Sequence, residues 1–151
     1  MGLGLVKSLV NDKMQAFCAI DVKDELLCWG VNVLYPPANL GPVKAISMYV
    51  DRYCAINQFD QVNYWGPNST AFPLRKELEL AKSISVNSGN VCATTLEDRT
   101  FCDFGPLIVE LTIDYDKSAQ LAASDNGTCA IGEDQQLRCY DWDSGWFRTV
   151  L

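Results

Sequence analysis

Four Cys-Ala dipeptides recur at nearly constant spacing, and they constrain the fold of this chain more than any other feature. They stand at Cys18-Ala19, Cys54-Ala55, Cys92-Ala93 and Cys129-Ala130, so successive cysteines are 36, 38 and 37 residues apart. Ile20, Ile56, Thr94 and Ile131 follow them, and ten residues after each cysteine comes Cys28, Tyr64, Cys102 or Cys139. Upstream, Val43-Lys44-Ala45-Ile46-Ser47 matches Ala81-Lys82-Ser83-Ile84-Ser85, with looser counterparts at Val6-Lys7-Ser8-Leu9 and Ala119-Gln120-Leu121-Ala122. A period of roughly 20–50 residues marks an architecture in which each unit buries its apolar face on a neighbour. The 151-residue chain therefore reads as one repeat domain, 1–151, with units at approximately 3–39, 40–77, 78–115 and 116–151.

Each unit reads as three short strands, of the Val-Lys-Ala-Ile-Ser, Tyr53-Cys54-Ala55-Ile56 and Leu26-Leu27-Cys28-Trp29 types. Between the second and third lies a polar segment carrying Asp24, Asp60, Asp98 or Asp134, which is hairpin-turn chemistry. Lys76-Glu77-Leu78-Glu79-Leu80 has the composition for one helical turn; no longer helix is expected. In an antiparallel hairpin, opposed residues have a constant index sum, so Cys18 opposite Cys28 places Ile20 opposite Leu26 on the same face. Opposed Cβ atoms lie ~4.5–5.5 Å apart, close to what a disulfide needs. The expected bridges are Cys18–Cys28, Cys92–Cys102 and Cys129–Cys139, and three of them imply an oxidising compartment. Metal binding is the rival reading, but it needs about four ligands converging while these pairs sit on different units.

The fold expected from this pattern is all-β and disulfide-stapled. Composition narrows the function. Twelve basic against nineteen acidic residues give a net charge of −7, with the acids scattered. That balance argues against a nucleic-acid partner, which needs a Lys/Arg face, and against an anionic membrane surface. No apolar run approaches the ~20 residues of a bilayer span. The start, Met1-Gly2-Leu3-Gly4-Leu5-Val6-Lys7, lacks the basic leader and apolar run of a secretory signal, so a secreted form would have lost its signal or carried it elsewhere. There is no histidine, which removes Ser-His-Asp and Cys-His catalysis and imidazole zinc sites. No phosphate-cradling glycine loop is present. No catalytic residue, metal or cofactor is expected; carboxylate, lysine and tyrosine chemistry are the enzymatic routes left in view.

The run Cys18-Ala19-Ile20, a turn, then Leu26-Leu27-Cys28-Trp29-Gly30-Val31-Asn32, followed by Asn39-Leu40-Gly41-Pro42-Val43, resembles the repeats of the regulator-of-chromosome-condensation type. The cysteine-paired form with Cys-Trp-Gly looks most like the extracellular crinkly repeats of plant receptor kinases and secreted bacterial relatives. The resemblance covers all four units, is sharpest in the first two, and implies a β-propeller. Two departures matter: such propellers usually have seven blades whereas four units are present here, and the turn Asp-Gly of the family is Asp-Glu, Asp-Gln or Asp-Arg. Three arrangements follow: a compact four-unit ring, an open propeller arc completed by another chain, or a piece of a longer protein; the arc, whose strand edges invite association, is the one expected. The exchange activity of the nuclear prototype is not carried over.

Several residues carry a sharper reading beside a plain one. Cys54, opposite Tyr64, is either a buried thiol or the donor of an intermolecular disulfide. Asn68-Ser69-Thr70 and Asn126-Gly127-Thr128 are N-glycosylation sequons in expected turns. The acid-flanked aromatics Tyr140, Trp142, Trp146 and Phe147 either pack within their unit or present a surface for a sugar or a protein. Asp141-x-Asp143 with Gly145 hints at calcium but misses the usual loop spacing and its distal Glu. Trp29 and Trp65 share one phase of the repeat and are expected in the core. The function expected is a non-catalytic extracellular module for protein binding or self-assembly, a structural glycoprotein acting with copies of itself or another extracellular protein. The alternative is a glycan-binding propeller.

Overall fold

The structure, a computed structural model, describes residues 4–67, 74–111, 118–145 and 147–150, with backbone only at 118, 119 and 147–150. Four antiparallel sheets follow one another along the chain. The first contains β1 (Val6–Asn11), β2 (Ala16–Asp21) and β3 (Leu26–Gly30), and the second β4 (Val43–Tyr49), β5 (Arg52–Asn57) and β6 (Val62–Trp65). The third contains β7 (Ala81–Val86), β8 (Val91–Thr95), β9 (Thr100–Asp103) and β10 (Ile108–Leu111). The fourth contains β11 (Ser118–Ser124), β12 (Gly127–Gly132), β13 (Leu137–Asp141) and β14 (Phe147–Val150). A single 3-10 turn, Lys76–Leu78, precedes β7, and no α-helix occurs among the described residues.

The three-strand core is common to all sheets, while β10 and β14 add an outer strand that the repeat pattern does not announce. In the first unit the corresponding stretch holds Pro36-Pro37, and proline offers no N–H to a ladder. Ile108-Val109 carries no such bar, and the segment Ile108–Leu111 zips onto β9 with Val109 opposite Cys102.

Register explains the cysteines. Cys18 pairs with Cys28, Cys92 with Cys102 and Cys129 with Cys139 across neighbouring strands, and each pair is a disulfide closing a span of ten residues. In the second sheet the same position pairs Cys54 with Tyr64.

The first strand of every unit carries an irregularity at one point, between Val6 and Ser8, Val43 and Ala45, Ala81 and Ser83, and Ser118 and Gln120. In three units the residue left over at this bulge is a lysine, and it reaches the aspartate of its own hairpin turn: Lys7–Asp24 at 2.6 Å, Lys44–Asp60 at 2.7 Å, and Lys82–Asp98. The fourth unit has alanine there, and Asp134 instead bonds Arg138 at 2.9 Å, which holds its carboxyl down at about 2. These pairs lie at the surface, where screening leaves an ion pair little net worth. The turn backbone does more. Asp24, Asp60 and Asp98 adopt φ of 67°, 64° and 65°, a left-handed conformation that Asp tolerates better than most residues. The carbonyls of Asp24 and Asp60 then accept the N–H of Val43 (2.8 Å) and Ala81 (2.9 Å), stitching each turn to the first strand of the next unit.

The Trp-Gly dipeptides have a backbone cause. Gly30 and Gly66 have φ of 118° and 149°, and a Cβ on either would lie 2.1 Å from the carbonyl oxygen of Gln15 or Asp51.

Among the described residues the first strands β1, β4, β7 and β11 pack in sequence, each against the next, and no packing of that extent joins β11 back to β1. The four sheets thus form an open arc. The double variant Cys92→Ala/Cys102→Ala should lower stability by about 2–3 kcal/mol, the loop-entropy value for so short a loop, read from urea melts; reduction, which opens all three bridges, should cost more.

Candidate functional site

Every sheet has two faces, and the repeat uses them differently. One face of the second sheet presents Ile46, Met48, Tyr53, Ala55 and Trp65; it is buried against the opposite face of the first sheet, which presents Val10, Cys18, Ile20, Leu26 and Cys28. Tyr53 and Trp65 meet edge to face, with centroids 5.8 Å apart, and the Trp65 indole Nε1 donates to the Leu34 carbonyl at 3.0 Å. The second and third sheets repeat the scheme with Cys54 and Ile56 under Ile84, Val86, Val91, Ala93 and Phe101. The third and fourth repeat it again, with Cys92 and Cys102 under Ala130, Leu121 and Tyr140. Side-chain to backbone bonds run through these joints: Ser47 Oγ accepts from Val86 N–H at 2.9 Å, and Ser85 Oγ from Ala123 N–H at 2.8 Å.

In the first sheet no described residue covers the corresponding face in this way. Leu9 stands where the second unit has Ile46, Phe17 where it has Tyr53, and Trp29 where it has Trp65. Leu9 is 61% exposed against 7% for Ile46, and Trp29 is 38% exposed against 7% for Trp65. Phe17 and Trp29 stack on one another with centroids 5.9 Å apart and planes 15° apart, and Val6 and Leu27 extend the same exposed face. Trp29, expected in the core, is therefore a surface residue. The local sequence places it at the packing phase of the repeat, but no unit covers it. This apolar face is the candidate functional site, because contiguous exposed aromatic and aliphatic side chains mark an interaction surface.

The other sequence candidates fall elsewhere. Tyr140 and Trp142 are half-buried in the joint between the third and fourth units, where Trp142 packs edge-on to Phe104 (4.8 Å) and Tyr140 (4.9 Å). Trp146 lies outside the described residues, and Phe147 is described only as the backbone start of β14. Asn126 is exposed in the turn between β11 and β12, while Asn68 lies outside the described residues. Cys54 is completely buried in the second joint, and burial pushes its thiol well above the ordinary range, with Arg52 pulling weakly the other way. The six remaining cysteines are bridged, so no thiol is presented at the surface.

Two concavities accompany the joints. One, of about 110 Å³, is lined by Arg52, Tyr64, Asp103 and Phe104 between the second and third units, below the roughly 300 Å³ at which small-molecule sites begin. An open groove of about 630 Å³ on the fourth unit is lined by Asn126, Tyr140, Asp141 and Ser144 and reaches the Cys129–Cys139 bridge. Among the described residues, no cluster of three or more His, Cys, Asp or Glu is placed to hold a metal ion. No helix among them is long and apolar enough to cross a membrane.

Neither a family model nor a curated protein matches the chain. Solved structures do. The CRINKLY WD40 ectodomain of the Arabidopsis thaliana receptor kinase ACR4 superposes with a TM-score of 0.66 at 18% identity, covering 97% of this chain and 52% of that one. The chain has a β-propeller repeat fold. The ectodomain of the Physcomitrella patens receptor kinase CR4 gives a TM-score of 0.66 at 15% identity over 90% of this chain and 38% of its own. Prp20p of Saccharomyces cerevisiae gives 0.63 at 12% identity over 93% and 46%. The propeller arc described here thus spans about half the length of these structures, or less.

The two equivalent tryptophans offer a controlled comparison. Trp65→Ala should cost about 3–5 kcal/mol and Trp29→Ala about 1 kcal/mol, as half-exposed and fully packed side chains differ; equal losses in urea melts would mean that Trp29 is covered. Cys54 should stay unreactive to a thiol reagent until the protein unfolds, when one equivalent reacts.

Proposed function

We propose that residues 1–151 act as one non-catalytic repeat domain of the cysteine-paired extracellular variety, whose task is to bind protein through the open face of its first sheet. The observation that carries this reading is the exposure of Leu9, Phe17 and Trp29 on one unpartnered sheet face, at positions that the second unit buries as Ile46, Tyr53 and Trp65. Stacked aromatics on a rigid sheet lose little entropy on docking and serve well as anchors. The extracellular setting is supported by three disulfides in a short chain and by structural likeness to two receptor-kinase ectodomains. Protein binding is supported by the neighbours too: yeast RCC1 (Prp20) is solved with Kap60 bound to it. The lack of histidine supports a non-catalytic role. A glycan on Asn126 would project from an exposed turn.

The test is photo-crosslinking in the extracellular medium, with Trp29 replaced by p-benzoylphenylalanine. Covalent adducts to protein are expected. Adducts to carbohydrate alone, or none, would sink the reading.

A further inference from the structure

The arc ends in two different uncovered faces, and they are the two halves of the same joint. The first sheet offers Leu9, Phe17 and Trp29, the counterparts of Ile46, Tyr53 and Trp65. The fourth sheet offers the face that in the first unit lies under the second. Its Cys129–Cys139 bridge corresponds to Cys18–Cys28, its Ile131 to Ile20, and its Leu137 to Leu26, each identical in residue type and in register. Ile20 is 1% exposed beneath the second unit, while Ile131 is 38% exposed. Residues that pack well inside the chain therefore stand open at both of its ends, with matching chemistry: aromatics and a branched aliphatic on one face, a disulfide flanked by Ile and Leu on the other.

We propose that a second copy of this chain occupies both faces, the first sheet of each copy seated on the fourth sheet of the other, to close a two-fold ring of eight sheets. The proposal rests on the protein-binding reading above and names its partner. Three features favour a second copy over an unrelated protein. The joint needed already exists three times within the chain, so its geometry is one this sequence is known to build. The contact is head-to-tail, and such contacts either close into a ring or run on as a filament. Eight sheets also lie within the roughly 4–8 blades that propellers hold. Closing the ring removes both exposed faces at once and leaves no free end to propagate.

Sedimentation equilibrium of the chain at micromolar concentration, with two single variants, tests this. The wild type should show twice the chain mass and no larger species. Trp29→Asp on one face and Ile131→Asp on the other should each weaken pairing about a hundredfold or more, because either places an unpaired charge in an apolar joint. Both positions are exposed in the single chain, so far-UV circular dichroism should be unchanged. A wild-type monomer would overturn the proposal, as when other units of a longer polypeptide cover the faces. So would an open ladder of sizes, or a dimer lost with Trp29→Asp but kept with Ile131→Asp, which means like faces meeting. The photo-crosslink from position 29 separates the two readings without depending on either variant: an adduct to the segment 129–139 of a second copy supports the ring. An adduct to a different protein removes the ring and keeps protein binding. No protein adduct removes both.

Discussion

The face-to-face joint between consecutive sheets is the interaction on which the rest of this structure depends. A three-stranded sheet of short strands has too little interior to bury its own apolar residues. Laid against its neighbour, each sheet covers the disulfide or thiol face of the one before and offers its own for the next. Tyr53, Ile20, Ile56 and Cys54, all fully buried, sit in these joints. The disulfides work with the joints: they hold the register that puts Ile20 and Leu26 on one face, and thereby make that face flat and apolar enough to be covered.

The polar parts of the repeat serve the same end. In the first two units the left-handed turn aspartate turns its carbonyl toward the first strand of the next unit, and in the first three the bulge in the first strand frees a lysine to brace the turn. Neither ion pair nor bulge is worth much alone. Together with the serine hydroxyls of Ser47 and Ser85, which accept from the following unit, they fix how one sheet is offset from the next. An offset repeated without change produces an arc, and an arc that stops produces two exposed faces.

The expectation that Trp29 and Trp65 share a role shows where sequence reasoning meets its limit. Both follow a strand residue opposite the first cysteine position, and both precede a glycine that the backbone requires. Their difference is entirely one of neighbours. The same holds for Ile20 and Ile131. The outer strands β10 and β14 were hidden for another reason: they lie outside the cysteine register, and the proline-rich linkers of the first half gave no cue to look for them.

The sequence by itself determined the repeat, its period, the strand order within a unit and the opposition of the cysteines, because all of these follow from short-range rules: alternation along a strand, the index sum of a hairpin, and the turn preference of aspartate. The tertiary structure alone decided which of the equivalent faces are covered, that Tyr140 and Trp142 pack into the last joint, and that Cys54 is sealed within the second. Coverage depends on what lies across a joint, some 37 residues away or on no part of the chain at all, and equivalent residues carry no local mark of it.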